Sequence, residues 1–269
     1  MTQKKIDAQK TTVHIVNWLR EYANTAGVNG YVIGISGGID SAVTSTLCAM
    51  TGLPLLCVEM PIHQAENQVN RGKEHISFLM NNFKNVTSTV ADLTPTFETF
   101  KNAVPSSENE SILNLTLANT RARLRMTTLY YYAGLHRSLV AGTGNKIEDF
   151  GVGFFTKYGD GGVDVSPIAD LMKSEVRAIG EYLQIPTSII KAKPTDGLFG
   201  DDRSDEDQLG ASYDELEQAM IAFENGISID SLTGREKEVF TIYTRLNRIN
   251  QHKVNPIPVC TIPDTCKLV

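Results

Sequence analysis

Apolar residues in the first part of the chain form short continuous runs separated by longer amphipathic stretches. The runs with the length and β-branched content of buried strands are 31–36, 54–60, 86–90 and 138–143. The stretches with helical spacing of apolar residues are 4–26, 40–50, 64–83 and 110–136. Buried strands that alternate with helices predict an α/β fold: a doubly wound, mainly parallel sheet flanked by helices, in a single domain over residues 1–269.

The predicted helix over 4–26 places most of its apolar side chains roughly on one face, which we expect to be buried. These residues are Ile6, Val13, Val16, Trp18, Leu19 and Tyr22. The long stretch 110–136 instead carries apolar residues on several faces. Such a helix either lies at the centre of the core or forms the interface of a dimer, and the pattern alone leaves both open.

The second half of the chain shows three helix starts. Ser166-Pro167 is typical of a first helical turn, because proline fits the first position. Ser212 with Glu215, and Thr233 with Glu236, have the spacing of capping boxes. These signals predict C-terminal helices, and the acidic, glycine-containing segment at about 196–208 is predicted to be a mobile loop.

Composition narrows the class of protein. Hydrophobic content of 41% and a formal net charge of −6 are ordinary for a globular protein, and the acidic balance argues against a nucleic-acid partner. No apolar run has the length of a membrane span, and the N-terminus lacks a signal-peptide core, so we expect no membrane partner and a cytoplasmic location. The four cysteines have no zinc-site spacing.

The most informative segment is the end of the first strand, Ser36-Gly-Gly-Ile-Asp-Ser41. A strand end, two glycines and a helix start surround one concave spot with free backbone N–H groups, which suits a phosphate. Asp40 would repel bare phosphate, so its carboxylate is interpreted as a Mg²⁺ ligand. There is no lysine of the Walker A pattern here. A tight turn with incidental glycines is the structural alternative.

The loop resembles the pyrophosphate-binding loop of the adenine-nucleotide α-hydrolases, also called PP-loop ATP pyrophosphatases. Further segments resemble one family in this group, the ammonia-dependent NAD synthetases, from about Ile6 to Pro258. The segments that carry the resemblance are Arg121-Ala-Arg123-Leu-Arg125, Gly142-Thr-Gly-Asn145, Phe154-Phe-Thr-Lys-Tyr-Gly-Asp-Gly-Gly162 and His252-Lys253. The stretch from Glu148 to Phe154 is one residue longer than in some members of that family.

The resemblance implies a reaction and a set of roles. Deamido-NAD, ATP and ammonia give NAD, AMP and pyrophosphate through an acyl adenylate, with Mg²⁺ as cofactor. The implied catalytic residues are Asp40 and Lys173, and the implied metal ligands are Asp40 and Glu148. The implied ATP contacts are Gly34, Ile35, Ser36, Gly37, Gly38, Ile39, Asp40, Ser41, Thr143, Lys173 and Thr195. The implied deamido-NAD contacts are Arg123, Lys157, Asp164, His252 and Lys253.

The resemblance also implies a homodimer with deamido-NAD bound across its interface. Because the synthetase-like part begins by about Ile6, no room is expected for an amidase domain, and free ammonia is the expected nitrogen donor. Two alternatives remain open from the residues. One is another ligase with the same loop, such as a GMP synthetase-like enzyme, and the other is a non-catalytic module that binds an adenine nucleotide.

Overall fold

One parallel sheet forms the centre of the described part of the chain, which comprises residues 6–195 and 204–267 of a computed structural model. Its strands are β1 (Tyr31–Gly34), β2 (Leu55–Glu59), β3 (Val86–Val90) and β4 (Leu139–Val140). Their order is β3-β2-β1-β4, and Tyr31 lies opposite both Leu55 and Leu139. The strand order therefore reverses between β1 and β4, which is where open α/β sheets bind ligands.

Helices connect and cover these strands. In chain order they are α1 (Ala8–Ala26), α2 (Ile39–Met50), α3 (Glu66–Asn82), α4 (Thr94–Ala103), α5 (Glu110–His136), α6 (Lys173–Tyr182), α7 (Thr187–Ile190), α8 (Asp205–Leu209), α9 (Tyr213–Glu224) and α10 (Gly234–Val254). A π-helix spans Ile147–Val152, and two 3₁₀ turns span Ile229–Ser231 and Asp264–Cys266.

Alternate residues of β1 face opposite sides of the sheet. Tyr31 and Ile33 belong to a core cluster shared with α1, α2 and α6, whereas Val32 packs in a second cluster with Ala133 of α5. A third cluster joins the π-helix, α9 and α10 around Tyr213 and Tyr243. Helices thus cover both faces of a parallel sheet, and the predicted doubly wound α/β fold is confirmed.

Several predicted boundaries were wrong. The helix expected at Ser166 begins at Lys173, because residues 166–171 form buried turns and Glu175 caps the backbone N–H of Met172 at 2.9 Å. Thr233 makes no side-chain cap, and Gly234 starts α10 with a left-handed φ of 53°. The box of Ser212 and Glu215 is formed as predicted. Helix α4 was missed, and β4 is shorter than its apolar run.

The apolar face of α1 also differs from the prediction. Its buried residues include Ile15, Val16 and Leu19, but Val13, Trp18 and Tyr22 are exposed. The two aromatic side chains are in contact, with ring centroids 5.5 Å apart. They lie on a face of α1 that does not meet the core.

The predicted mobile loop at 196–208 lies largely outside the described residues, since 196–203 are not among them. The end of that segment is helical, because α8 begins at Asp205. Ser204 caps α8 by accepting a hydrogen bond from the backbone N–H of Asp207 at 3.1 Å.

Helix α3 supports the glycine loop from outside. Gly37 has φ of 81°, and a Cβ there would lie 2.5 Å from the carbonyl oxygen of Gln68 in α3. Farther along α3, the buried His75 is hydrogen-bonded through Nε2 to the Ser45 hydroxyl of α2 at 2.8 Å. Burial lowers the pKa of His75 to about 4, so this link between the two helices is neutral.

We predict that Gly37→Ala is more damaging than Gly52→Ala. Both glycines have left-handed φ, 81° and 76°, so both variants lose roughly 1–2 kcal/mol to backbone strain. Only Gly37→Ala also forces α3 away from the loop, because a Cβ at Gly52 meets nothing within 4 Å. Urea unfolding measures the difference in stability, and an equal loss in the two variants would contradict the role given to α3.

Candidate active site

The loop between β1 and α2 is braced by its own hydroxyl groups. The Ser41 hydroxyl donates to the carbonyl oxygen of Gly38 at 3.0 Å, and the two serine oxygens of Ser36 and Ser41 are 3.0 Å apart. The backbone N–H of Gly38 donates to the Ser36 hydroxyl at 3.2 Å. The N-terminal end of α2, with its positive helix dipole, is thereby presented at the carboxyl end of β1.

Lys173, the first residue of α6, joins two carboxylates that are distant in sequence. Its Nζ lies 2.6 Å from Asp40 Oδ2 and 2.9 Å from Glu148 Oε1, and the side chain is 3% exposed. Asp40 comes from the start of α2 and Glu148 from the π-helix. One buried ammonium group therefore fixes two loops at the switch point of the sheet.

The charges of this cluster support one another. Burial by itself lowers the pKa of Lys173, but Asp40 and Glu148 outweigh it and raise that pKa above its ordinary value. Burial raises the pKa of Asp40, and this rise is opposed by Lys173 and by the Asn145 side-chain amide, which donates to Oδ1 at 3.2 Å. Lys173 is therefore a permanent ammonium ion.

Three residues outside the predicted set complete the cluster. The Asn145 side-chain oxygen accepts the backbone N–H of Glu148 at 3.1 Å. The Tyr213 hydroxyl donates to Glu148 Oε1 at 2.5 Å and lies 3.3 Å from a carboxylate oxygen of the buried Asp205. Burial raises the pKa of Tyr213, so the hydroxyl keeps its proton. Asn145 ends one of the segments that carry the family resemblance, and Tyr213 lies within the capping box of Ser212 and Glu215, but nothing in their spacing indicates these bonds.

A cavity of about 250 Å³ opens above this cluster. Most of the residues predicted to contact ATP line it: Gly34, Ile35, Ser36, Asp40, Ser41, Thr143 and Thr195, together with Glu148. Gly38 and Ile39 line a separate narrow cavity, which Ser36, Asp40, Lys173 and Thr195 also border. The Ile39 side chain is buried near Gly180, so only its backbone faces a ligand.

Four of the residues predicted to contact deamido-NAD line a neighbouring cavity of about 600 Å³. They are Arg123, Lys157, His252 and Lys253. Arg123 approaches the carbonyl oxygen of Lys157 at 3.4 Å, and the Lys157 ammonium donates to the carbonyl oxygen of His252. Phe154 and Asp160 border both cavities, so the two are adjacent.

Lys253 already has structural partners. Its ammonium donates to the carbonyl oxygens of Gly153 at 2.8 Å and Phe155 at 2.9 Å, and burial lowers its pKa. These bonds attach the end of α10 to the segment after the π-helix. Lys253 therefore shapes the wall of the cavity, whereas the half-buried Lys157 ammonium donates to one carbonyl oxygen among the described residues, that of His252.

Asp164 does not lie with the other four residues. Its carboxylate accepts the backbone N–H of Val140 at 2.8 Å and the Tyr130 hydroxyl at 3.0 Å. It borders a third cavity, of about 700 Å³, which the aromatic side chains of Trp18 and Tyr22 also line. Within one copy of the chain, the predicted deamido-NAD contacts are thus split between two cavities.

Two further acidic groups, Asp149 and Asp160, lie near this cluster. Burial, with the nearby Glu148 carboxylate, raises the pKa of Asp149 to about 8. Burial raises the pKa of Asp160 to about 6, although Asp160 accepts the backbone N–H of Thr156 at 2.9 Å. Acidic groups that share a confined space disfavour ionisation of one another, so this wall of the cavity attracts cations.

The donor set fits a magnesium ion. Asp40 and Glu148 lie close enough together to share the Lys173 ammonium, and carboxylate oxygens are the protein ligands that Mg²⁺ takes. Among the described residues, no group of three acidic, histidine or cysteine side chains is arranged to hold a metal. Mg²⁺ is usually bound by one or two carboxylates together with the phosphate oxygens of a nucleotide, rather than by protein side chains alone.

Fold and site together define an α/β nucleotide-binding protein with a glycine loop at the switch point of its sheet. Residues 11–257 match the model of the NAD synthase family, and the chain belongs to that family. In the described part of the chain, each helix is too short or too polar to cross a membrane.

Relatives match over nearly the whole chain. The NH₃-dependent NAD⁺ synthetase of Carboxydothermus hydrogenoformans is 33% identical, over 93% of this chain and 96% of the relative. That of Methanosarcina mazei is 36% identical, over 94% and 98%. Among solved structures, the NMN synthetase of Francisella tularensis superposes with a TM-score of 0.82 at 29% identity, over 96% of this chain and 100% of the other. The NH₃-dependent NAD synthetase of Campylobacter jejuni gives 0.76 at 25%, over 95% and 100%.

Proposed function

We propose that the chain is an ammonia-dependent ligase that converts deamido-NAD, ATP and ammonia into NAD, AMP and pyrophosphate. The observation that carries this proposal is the buried ammonium of Lys173 between Asp40 and Glu148, beside the glycine loop. A site built in this way suits cleavage of ATP between its α- and β-phosphates. A non-catalytic nucleotide-binding module has no need of such a cluster.

In the first step, the nicotinate carboxylate attacks the α-phosphate and an acyl adenylate forms. The carboxylate needs this activation, because it has no good leaving group of its own at neutral pH. Negative charge develops on the α-phosphate and on the departing pyrophosphate. Lys173 and the backbone N–H groups of the loop are placed to stabilise that charge without reorganisation.

Asp40 and Glu148 would hold Mg²⁺, which would supply positive charge at the phosphate oxygens of bound ATP. Lys173 remains protonated throughout, since two carboxylates hold its proton. Its contribution is electrostatic, and it also keeps the two metal ligands at a fixed separation.

In the second step, ammonia attacks the acyl carbon and AMP leaves. The acidic side chains that line the cavity, among them Asp40, Glu148 and Asp205, favour the ammonium ion, which is the main form of ammonia at neutral pH. Phe154 and Asp160 form the border at which the two cavities meet. We propose that the nicotinate carboxylate of deamido-NAD binds at this border.

The protein is proposed to work as a two-fold homodimer. Asp164 lies in a different cavity from Arg123 and Lys157, which is the arrangement expected if each deamido-NAD molecule contacts both copies. Helix α5 leaves several large apolar side chains exposed: Ile112, Leu115, Tyr131 and Leu135. These exposed apolar side chains suit an isologous contact between two copies of the chain.

The buried free thiols of Cys48 and Cys57 suit a reducing compartment such as the cytoplasm.

A second candidate substrate is nicotinate mononucleotide. The fold matches an NMN synthetase, which by its name produces the corresponding amide, as well as it matches an NAD synthetase. The reacting carboxylate is the same in both substrates. Deamido-NAD carries an additional adenylyl group, and this group would have to fill a cavity beyond the one that holds the nicotinate.

The decisive assay offers both substrates with ATP and Mg²⁺. We expect NAD from deamido-NAD, with ammonium salts as the donor and poor use of glutamine. Asp40→Asn should lower turnover by at least about a hundredfold, because removal of a pre-organised charge at the phosphates costs several kcal/mol. A preference for nicotinate mononucleotide would establish the second candidate. Hydrolysis of ATP that is independent of either substrate would reject both.

The shared site can be tested by mixing two inactive variants. Asp40→Asn removes the metal ligand of one copy, and Asp164→Asn weakens the proposed contact supplied by the other copy. If each site spans two copies, mixed dimers contain one intact site, and activity should return to about a quarter of that of the native protein. Mixtures that stay as inactive as the separate variants would place each complete site within one copy.

A further inference from the structure

Helix α9 contacts the start of α6 through one buried carboxylate. Glu217 lies in the second turn of α9 and is 4% exposed. Its Oε1 accepts a hydrogen bond from the backbone N–H of Ser174 at 2.8 Å, and its Oε2 accepts one from the Ser174 hydroxyl at 2.7 Å. Both carboxylate oxygens are therefore bonded to the residue that directly follows Lys173.

The first turn of α6 needs partners from outside its own backbone, because the first N–H groups of a helix have none within it. Glu175, in the same helix, supplies the partner for Met172. Ser174 instead takes its partner from a different helix. Glu217 has no ion pair among the described residues, so the cost of removing its charge from water is offset by the two Ser174 bonds and by the positive end of the α6 dipole. What this costly carboxylate adds is a two-bond link between α9 and α6.

Tyr213 contacts the other end of Lys173. It lies one turn before Glu217 on α9, so both side chains extend from the same face of that helix. The Lys173 ammonium lies 4.6 Å from the centre of the Tyr213 ring, and the Tyr213 hydroxyl donates to Glu148 at 2.5 Å. A lysine stem is flexible when only one end is fixed. Here α9 restrains both ends: Tyr213 contacts the ammonium group, and Glu217 fixes the backbone beside Lys173.

We infer that Glu217 is a positioning residue for Lys173, an inference that rests on the proposed function. Glu217 acts through Ser174, because it holds the first turn of α6 and with it the point from which the Lys173 side chain extends to Asp40. Stabilisation by a pre-organised charge depends on where that charge lies. A loosened first turn of α6 therefore weakens it, although no group that touches the substrates has been changed.

The location of Glu217 predicts which kinetic constant responds. In the described part of the chain, neither Glu217 nor Ser174 borders a cavity that we assign to ATP or deamido-NAD. Contacts with deamido-NAD should therefore persist when Glu217 is changed, whereas charge stabilisation in the transition state should weaken. The loss is expected in kcat and not in the KM for deamido-NAD.

The test compares Glu217→Ala with Glu217→Gln in the full chain. Alanine removes both bonds to Ser174 and should lower kcat at least about tenfold, as loss of a supporting bond behind a functional group commonly does. Glutamine has nearly the same shape and keeps both bonds, since its oxygen accepts the backbone N–H and its amide N–H donates to the Ser174 hydroxyl oxygen. We expect Glu217→Gln to keep kcat within about threefold of the native value, with the KM for deamido-NAD unchanged in both variants.

Two further variants separate positioning from a general loss of stability. Ser174 is exposed, so Ser174→Ala removes one bond without opening a cavity, and an intermediate loss of kcat is expected. This variant keeps the inference testable if Glu217→Ala does not fold. Leu216→Ala removes the packing of a fully buried neighbour on α9 but neither bond to Ser174. It should lower the Tm more than Ser174→Ala does, while kcat measured below the Tm stays near the native value.

A second readout needs no turnover. Acetic anhydride acetylates accessible lysines, and mass spectrometry of the digested protein measures the rate at each one. Lys173 is 3% exposed and paired with two carboxylates, so in the native protein and in Glu217→Gln it should react slowly relative to the exposed Lys191. In Glu217→Ala the relative rate at Lys173 should rise at least about threefold, because the first turn of α6 opens more often.

Three kinetic results would overturn the inference. One is a native kcat in folded Glu217→Ala. Another is a Glu217→Gln variant as impaired as Glu217→Ala, which would assign the effect to the charge and not to the two bonds. The third is an equal loss of kcat in Leu216→Ala, which would reduce Glu217 to a part of the general packing. If the chain makes no NAD, that failure counts against the proposed reaction, whereas unchanged acetylation of Lys173 in Glu217→Ala would still overturn the role given to Glu217.

Discussion

The buried contact of Lys173 with Asp40 and Glu148 is the interaction on which the candidate site depends. Without the ammonium group, two carboxylates from separate segments would face each other in a space that excludes most water. Removing one partner of such a buried pair typically costs about 3–5 kcal/mol, because the remaining charge has no compensation. Lys173 thus holds the loop after β1 and the π-helix together before any substrate is bound.

A π-helix over Ile147–Val152 brings Glu148 to this contact. A π-helix accommodates one added residue within a helical turn. The Asp149 carboxylate lies over the backbone of Gly144, where a Cβ would be 2.2 Å from its oxygen. A side chain at position 144 would displace this carboxylate.

Periodicity predicted the strands, and a local motif predicted the glycine loop with Asp40. Glu148 and Lys173 were expected only from the resemblance to the NAD synthetases. The sequence did not predict the hydrogen bond of Tyr213 to Glu148, since that contact exists only after α9 packs against the π-helix. The outward position of Trp18 was missed for a similar reason: helical spacing indicates a face but not which neighbour covers it. The separation of Asp164 from Arg123 likewise depends on packing.

The central claim is that this cluster promotes attack of the nicotinate carboxylate on the α-phosphate of ATP, which activates the carboxylate as an acyl adenylate. Deamido-NAD labelled with ¹⁸O in both oxygens of its nicotinate carboxylate tests it directly. If an acyl adenylate forms and ammonia cleaves it at the acyl carbon, one labelled oxygen leaves in AMP, and mass spectrometry should show one ¹⁸O per AMP with none in pyrophosphate. Unlabelled AMP, or label in phosphate or pyrophosphate, would contradict this account.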